Sequence, residues 1–234
     1  MLDGKKVIAV IPARGGSRRL PGKNMKQLGD KPLIAWSIDA AKKSRYIDRV
    51  VISTDCEEIA NTAQRHGGDV PFLRPQELSG DTASTNGVIL HALEHADESF
   101  DYVVLLQPTS PLRKTKDIDA LLESFDEKTE GVVSVCLCEH SPLWANTLPK
   151  DMTMGTFFPE SVIGKRSQDL PDYYRLNGAI YAFKIDGFVQ NKGIFYSEKV
   201  KAYAMPVERS VDIDTIVDFH IAEVMLEHAI KEDS

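Results

Sequence analysis

The sequence is poor in cysteine, in long apolar runs and in net positive charge, and each shortage removes a class of protein. Cys56, Cys136 and Cys138 are the 3 cysteines in 234 residues. An odd count without Cys-x-x-Cys spacing supplies neither a disulfide framework nor a zinc ribbon. No apolar stretch approaches the roughly 20 residues that span a bilayer. The chain begins Met-Leu-Asp-Gly-Lys-Lys and runs straight into an apolar strand, so no signal peptide is expected. Together these absences point to a reducing, cytoplasmic setting. The formal net charge of −7 argues against nucleic acid and anionic membranes as partners. No internal repeat or low-complexity tract is visible.

What is present suits a folded enzyme. Hydrophobic residues make up 42% and charged residues 27%, enough to bury a core and too apolar for disorder. The length fits one α/β domain over 1–234 with room for an insertion. Charge is unevenly placed. Residues 1–31 carry Lys5, Lys6, Arg14, Arg18, Arg19, Lys23, Lys26 and Lys31 against Asp3 and Asp30. Residues 207–234 are as strongly acidic, with Arg209 and Lys231 their only Lys or Arg. The basic start suits an anionic substrate and the acidic end a cation.

Periodicity predicts alternating strands and helices. Lys6–Ile11 reads as a strand buried on both faces, and 12–24 as a loop rich in Gly, Pro and Arg. A helix is expected from Pro32, a strand at Arg49–Ser53, a helix at Glu57–His66 and a short strand at Val70–Leu73. Helices near 84–97 and 115–125 flank a strand at Tyr102–Leu106, and Val132–Leu137 is the next strand. This order is that of right-handed βαβ units: a doubly wound, mostly parallel sheet. The rhythm breaks at 139–172, where Pro142, Pro149, Pro159 and Pro171 mix with Trp144, Phe157 and Phe158. That stretch reads as an insertion ordered by packing. Strands at 178–183 and about 201–205 and a helix near 214–231 follow.

The loop Ile11–Asn24 leaves the carboxyl end of the first strand, where open α/β sheets bind ligands. Gly15-Gly16 lets backbone N–H groups approach phosphate oxygens, and Arg14, Arg18, Arg19 and Lys23 can neutralise a triphosphate. The alternative is a solvated basic loop. It is no Walker loop, because five residues separate Gly16 from Gly22-Lys23 and Asn24 replaces Ser or Thr. Neither is it the G-x-G-x-x-G dinucleotide fingerprint.

Asp212 and Asp214, two apart, share one face of an extended segment, with Val211 and Ile213 on the other. They suit a hard cation that also takes phosphate oxygens. Equally, Asp214-Thr215 suits a cap for the last helix. Asp81–Asn86 reads as another cap and as an anion site, two compatible roles. His91-Ala92-Leu93-Glu94-His95 matches a zinc-peptidase spacing, but a polar helix face explains it better. Cys136 and Cys138 read as small strand residues.

Ile11-Pro-Ala-Arg-Gly-Gly-Ser-x-Arg-x-Pro-Gly-Lys-Asn24 resembles the opening of the acylneuraminate cytidylyltransferases. The likeness continues through Arg74-Pro75-x-Glu77-Leu78, Asp81–Ser84, Leu106-Gln107-Pro108-Thr109-Ser110-Pro111-Leu112-Arg113, Arg175-x-Asn177-Gly178-Ala179-Ile180-Tyr181 and Asp212-Ile213-Asp214-Thr215. It covers nearly the whole chain, in the family's order. Arg18 stands where Lys is usual, and Leu176 where some members have Pro.

The resemblance implies that CTP gives CMP to a nine-carbon 2-keto sugar acid such as N-acetylneuraminate, legionaminate or pseudaminate. An eight-carbon sugar-acid enzyme and a non-catalytic nucleotide-binding module on the same fold are the alternatives. It implies nucleotide contacts at Ala13, Arg14, Gly15, Ser17, Lys23, Asn24, Arg74 and Ser84. Sugar contacts are implied at Gln107, Ser110, Arg166, Gln168, Arg175 and Asn177. Arg14, Lys23, Asp212 and Asp214 would carry the chemistry, with Mg2+, or Mn2+ in its place, on the two aspartates. The 139–172 insertion would make a homodimer, with Arg166 reaching the partner's site.

Overall fold

A computed structural model describes residue 2, residues 4–80 and residues 82–232. Asp81, part of the expected cap sequence, lies outside the described residues.

The first strand, β1 (Val7–Pro12), is buried over five of its six residues. After the basic loop a short hairpin, β2 (Gln27–Leu28) and β3 (Lys31–Pro32), turns through Gly29 at φ 62°. Helix α1 (Leu33–Lys42) follows, with Pro32 as its N-cap. Strand β4 (Arg49–Ser53), helix α2 (Glu57–Arg65), helix α3 (Thr85–Glu94) and strand β5 (Tyr102–Leu106) come next. They are followed by α4 (Thr115–Glu123), β6 (Gly131–Leu137), β7 (Tyr174–Lys184), α5 (Ile185–Gln190), β8 (Val200–Ala204) and α6 (Ile216–Glu232).

The sheet has six strands in the order β4-β1-β5-β7-β6-β8. β1 pairs parallel with β4 and β5, and β6 pairs parallel with β8. β7 runs antiparallel to both neighbours, β5 and β6. The expected doubly wound, mostly parallel sheet is therefore present, with one reversed strand near its centre. The expected strand at Val70–Leu73 shrinks to two isolated bridges, Val51 to Asp69 and Thr54 to Leu73. Pro71 lacks an N–H and interrupts the ladder.

Alternation along β1 divides the core. Val7, Ala9 and Ile11 pack with residues of α1, α2 and α4, while Ile8 and Val10 pack with α3 and Phe188 of α5. A third cluster joins Leu20, Leu28 and Leu33 to Ile213, Phe219, Ala222 and Leu226. It clamps the start of α6 against the basic loop and so brings the two chain ends together. Burying Ile213 completely contributes about 2 kcal/mol to that clamp.

Between β6 and β7 the pairing jumps, from Val133 opposite Tyr181 to Val135 opposite Leu176. The extra residues on β7 include Gly178 at φ 75°, a conformation that favours glycine. The 139–172 insertion contains two short 3-10 turns, Pro142–Trp144 and Ser167–Asp169, and no strand among the described residues. No helix among the described residues is long and apolar enough to cross a membrane.

Candidate active site

The basic loop is held by local packing at both ends. Ala13, fully buried, donates its N–H to Ser53 O at 2.9 Å. A Cβ on Gly15 would stand 3.0 Å from Cys56 Cβ, so glycine lets the loop lie on the turn after β4. Gly15 N–H donates to Asp55 Oδ1 at 2.9 Å. That bond occupies a donor expected to face phosphate. Gly22, at φ 66°, starts the 3-10 turn Lys23–Met25. The turn buries Asn24, whose Nδ2 donates to Arg14 O at 3.0 Å. Asn24 therefore positions Arg14 through its backbone.

A cleft of about 560 Å³ opens where this loop faces the carboxyl ends of β1 and β5. Arg14, Ser17, Lys23 and Asn24 line it from the loop, Arg74 and Gln107 from across it, and Asp214 from the far end of the chain. Arg14 Nη1 donates to Gly80 O at 3.2 Å. Arg74 is buried, and loss of hydration lowers its pKa. Asp55, with its Oδ1 at 3.8 Å from Arg74 Nη2, opposes that shift, and Arg14 adds to it. Such crowded cations are well placed to receive a polyanion.

The acidic end completes the cleft. Thr215 and Asp218 cap α6 themselves: Asp218 Oδ2 accepts from Thr215 N at 2.7 Å and from Thr215 Oγ1 at 2.8 Å. Asp214 is therefore not needed as the cap, and its carboxylate faces the basic loop. Arg19 Nη1 lies 2.6 Å from one oxygen and Lys23 Nζ 3.5 Å from the other. Lys23 Nζ also donates to Ile213 O at 2.5 Å. Ile213 N in turn donates to Thr109 O at 2.8 Å, tying the segment to the loop after β5.

Asp212 keeps accessible surface, yet the protein around it removes part of its hydration, and its pKa is raised. Nearby Asp214 raises it further, while a hydrogen bond from Thr109 and the charge of Lys23 oppose the shift. The single proton of the Thr109 hydroxyl serves either this carboxylate or Gln107 Oε1, 3.3 Å away. The bulge of β7 borders the same spot: a Cβ on Gly178 would lie 3.6 Å from Gln107 Oε1 and 3.8 Å from Asp212 Oδ2. Asp212, Asp214 and the Thr109 hydroxyl form a set of hard oxygen donors.

Other expected contacts stand elsewhere. Ser84 caps α3, accepting from Gly87 N at 3.0 Å. Ser110 is fully buried beneath the loop. Asn177 is buried too, and its amide is occupied within the sheet. Nδ2 donates to Ser210 Oγ at 2.9 Å, and Oδ1 accepts from Ser134 Oγ at 2.6 Å and Ala179 N at 3.2 Å. These bonds make Asn177 a structural hub at the β7 bulge. Arg175 pairs with Glu139 at 2.6 Å. In the insertion, Arg166 pairs with Asp169 at 3.1 Å, and Gln168 is exposed. None of these six lines the cleft of its own chain.

The zinc-like motif folds as a ring cluster. His91 and His95 stack at 4.1 Å, with Phe72 edge-on to His91 at 4.6 Å. No group of three or more His, Cys, Asp or Glu gathers to hold an ion among the described residues. Sequence reasoning missed Thr109 and the approach of Gly178. The signal for Thr109 was its place two residues beyond Gln107, after a buried strand.

Comparison with known proteins identifies the family. The family described as Cytidylyltransferase matches residues 8–219. The chain is 38% identical over 232 residues to a CMP-N,N'-diacetyllegionaminic acid synthase of Legionella pneumophila, covering 95% of this chain and 97% of that protein. It is 36% identical over 219 residues to an N-acylneuraminate cytidylyltransferase of Escherichia coli, covering 93% of this chain and 51% of that longer protein. Among solved structures, a CMP:2-keto-3-deoxy-manno-octonic acid synthetase complexed with CTP aligns with a TM-score of 0.72 at 19% identity. That match covers 96% of this chain and 99% of the other, and it establishes the fold alone. A basic loop and an acidic segment meeting over a parallel sheet, in a chain matched from residue 8 to residue 219, place this protein in the cytidylyltransferase family.

Proposed function

We propose that the protein transfers CMP from CTP to the anomeric hydroxyl of a nine-carbon, sialic-acid-like 2-keto sugar acid and releases pyrophosphate. The observation that carries this reading is one cleft in which Arg14, Ser17 and Lys23 face Asp214. Cations for a triphosphate and a carboxylate for its counterion stand in one place. The relatives named for legionaminic and neuraminic acids support the class of acceptor.

The donor set fits Mg2+, with Mn2+ as a substitute. Magnesium takes one or two carboxylates together with substrate phosphates, so Asp212 and Asp214 suffice where no larger acidic cluster gathers among the described residues. Bound there, the ion would supply Lewis-acid charge to the α-phosphate oxygens. The chain's own groups do the rest. Arg14 and Ser17 would hold the triphosphate. Lys23 would neutralise charge on the departing pyrophosphate. Gln107, at the mouth of β5, would orient the sugar acid so that its hydroxyl points at the α-phosphorus. The bond formed is oxygen to α-phosphorus, and the bond broken joins the α-phosphorus to the bridging oxygen of pyrophosphate.

The reading includes a homodimer built through 139–172. Met152, Met154, Phe158 and Ile163 of that segment are 65%, 54%, 42% and 68% exposed. Apolar side chains concentrated in one protruding segment suit a protein interface. Arg166 and Gln168 then serve the partner's sugar site, which accords with their absence from the lining of their own cleft.

A panel of acceptors tests the substrate class. With CTP fixed, kcat/KM is measured for N-acetylneuraminate, legionaminate, pseudaminate and an eight-carbon 2-keto acid. At least one nine-carbon acid should exceed the eight-carbon acid by about 100-fold or more, the lower end of what a pocket achieves against a misfitting substrate. Preference for the eight-carbon acid would overturn it.

A further inference from the structure

Asp214 has both carboxylate oxygens covered by cations. Lys23 approaches one at 3.5 Å from a side chain only 11% exposed. Arg19 takes the other at 2.6 Å, and its side chain is 71% exposed. The two cations differ in what holds them. Lys23 is anchored by the Ile213 carbonyl at 2.5 Å. Arg19 reaches Asp214 as a long arm through solvent, and such exposed pairs form and part at little cost. Arg19 also lines the cleft that Arg14, Ser17 and Lys23 line. One swing of its side chain moves it from the carboxylate towards the space for the triphosphate.

We propose that Arg19 is a positioning residue that stands in for the divalent cation on Asp214 until the nucleotide arrives. This rests on the cytidylyl-transfer reading above. Before a nucleotide binds, a divalent cation in the cleft meets the charges of Arg14, Arg18, Arg19, Lys23 and Arg74, and Asp214, the acid that lines it, is already paired. A triphosphate reverses that field. It also offers Arg19 a bidentate partner better matched to a guanidinium fork than one carboxylate oxygen. Arg19 then leaves Asp214, and the vacated oxygen faces the cation. Nucleotide and cation thus bind as a coupled pair, each raising the affinity for the other by the same factor.

The test reads Mn2+ binding rather than turnover. Free Mn2+ is titrated by electron paramagnetic resonance against the full chain, without acceptor sugar, with and without CTP. Arg19→Ala should bind Mn2+ about two- to fivefold more tightly than wild type when empty, the range expected for one exposed ion pair. The enhancement of Mn2+ affinity by CTP should shrink by at least that factor, and CTP binding without metal should weaken. Arg19→Lys should restore the wild-type pattern in part. Equal or weaker Mn2+ binding by empty Arg19→Ala would overturn the proposal. Asp214→Ala separates the two levels of argument. If it leaves Mn2+ binding intact with and without CTP, the metal assignment itself fails; if it abolishes binding while Arg19→Ala changes nothing, only the Arg19 role fails.

Discussion

Lys23 and Asp214 meet at 3.5 Å although 191 residues separate them in the chain. The contact joins the basic start of the sequence to its acidic end. It also places a cation and an anion, both suited to a nucleotide and its metal, on one wall of a cleft.

Loss of either acid should impair the chemistry. Asp212→Ala and Asp214→Ala each remove one anionic donor where charge develops, and turnover at saturating Mg2+ should fall by about 100-fold or more. Steady-state kinetics with each purified variant checks this. Near-normal turnover in both would end the metal assignment.

Lys23→Ala should act on catalysis more than on folding. The loss of charge beside the leaving pyrophosphate should cost about 2–4 kcal/mol of transition-state stabilisation, seen as kcat/KM for CTP. The Ile213 carbonyl loses a donor, so a small fall in melting temperature is also expected. A fall large enough to explain the activity loss would make the lysine structural.

Asn177→Ala should do the opposite. Its buried amide satisfies Ser134, Ser210 and the Ala179 N–H. Truncation takes the Ala179 N–H's partner, at about 1–3 kcal/mol, while Ser134 keeps Ile180 and Ser210 keeps the Pro206 carbonyl. Denaturant unfolding should show a clear loss of stability, whereas KM for the sugar in the remaining folded enzyme should hold. A raised sugar KM at unchanged stability would return Asn177 to the sugar site.

Asp212→Asn should stabilise the metal-free protein at neutral pH. Partial loss of hydration, with Asp214 beside it, raises the folded-state pKa of the still accessible Asp212, so ionising it there is disfavoured relative to the unfolded chain. Between the unfolded pKa, near 3.8, and the raised folded value, the native state holds the extra proton. Stability therefore falls as pH rises through that window, and the deficit persists above it. The amide lacks this deficit. Its melting temperature should exceed wild type at pH 7, and the difference should vanish as pH drops below the ordinary carboxylate range. A variant less stable than wild type at pH 7 would contradict this.

Much of the fold was legible because buried parallel strands announce themselves as short apolar runs, as in Val7–Ile11 and Tyr102–Leu106. The direction of β7 was not, because strand periodicity carries no sense of direction. Pro71 marked the weakness of Val70–Leu73, but the apolar residues around it made the run look like a strand. At the site, Lys23 and Asp214 were readable from charge and place. The true cap of α6 was not: Thr215 and Asp218 compete with Asp214 for the same role, and only geometry separates them. Asn177 poses a similar ambiguity. A polar residue within a family motif can serve the backbone as readily as a ligand, and the bulge that buries it leaves no trace in periodicity.

Subunit mixing tests the dimer reading. Arg166→Ala and Asp212→Ala should each be nearly inactive alone. If Arg166 serves the partner's site, mixed dimers carry one intact site each, and random co-refolding should restore about a quarter of wild-type activity. No recovery would place Arg166 in its own subunit's chemistry, and a monomer by sedimentation would remove the dimer.

The most direct measurement follows the phosphorus atoms. The purified protein, CTP, Mg2+ and the acceptor panel are observed together by 31P NMR. Pyrophosphate and a CMP–sugar phosphodiester should appear in equal amounts, only when a nine-carbon acid is present and only without excess chelator. CTP that binds but yields neither product with any acceptor, or pyrophosphate released without the phosphodiester, would contradict it.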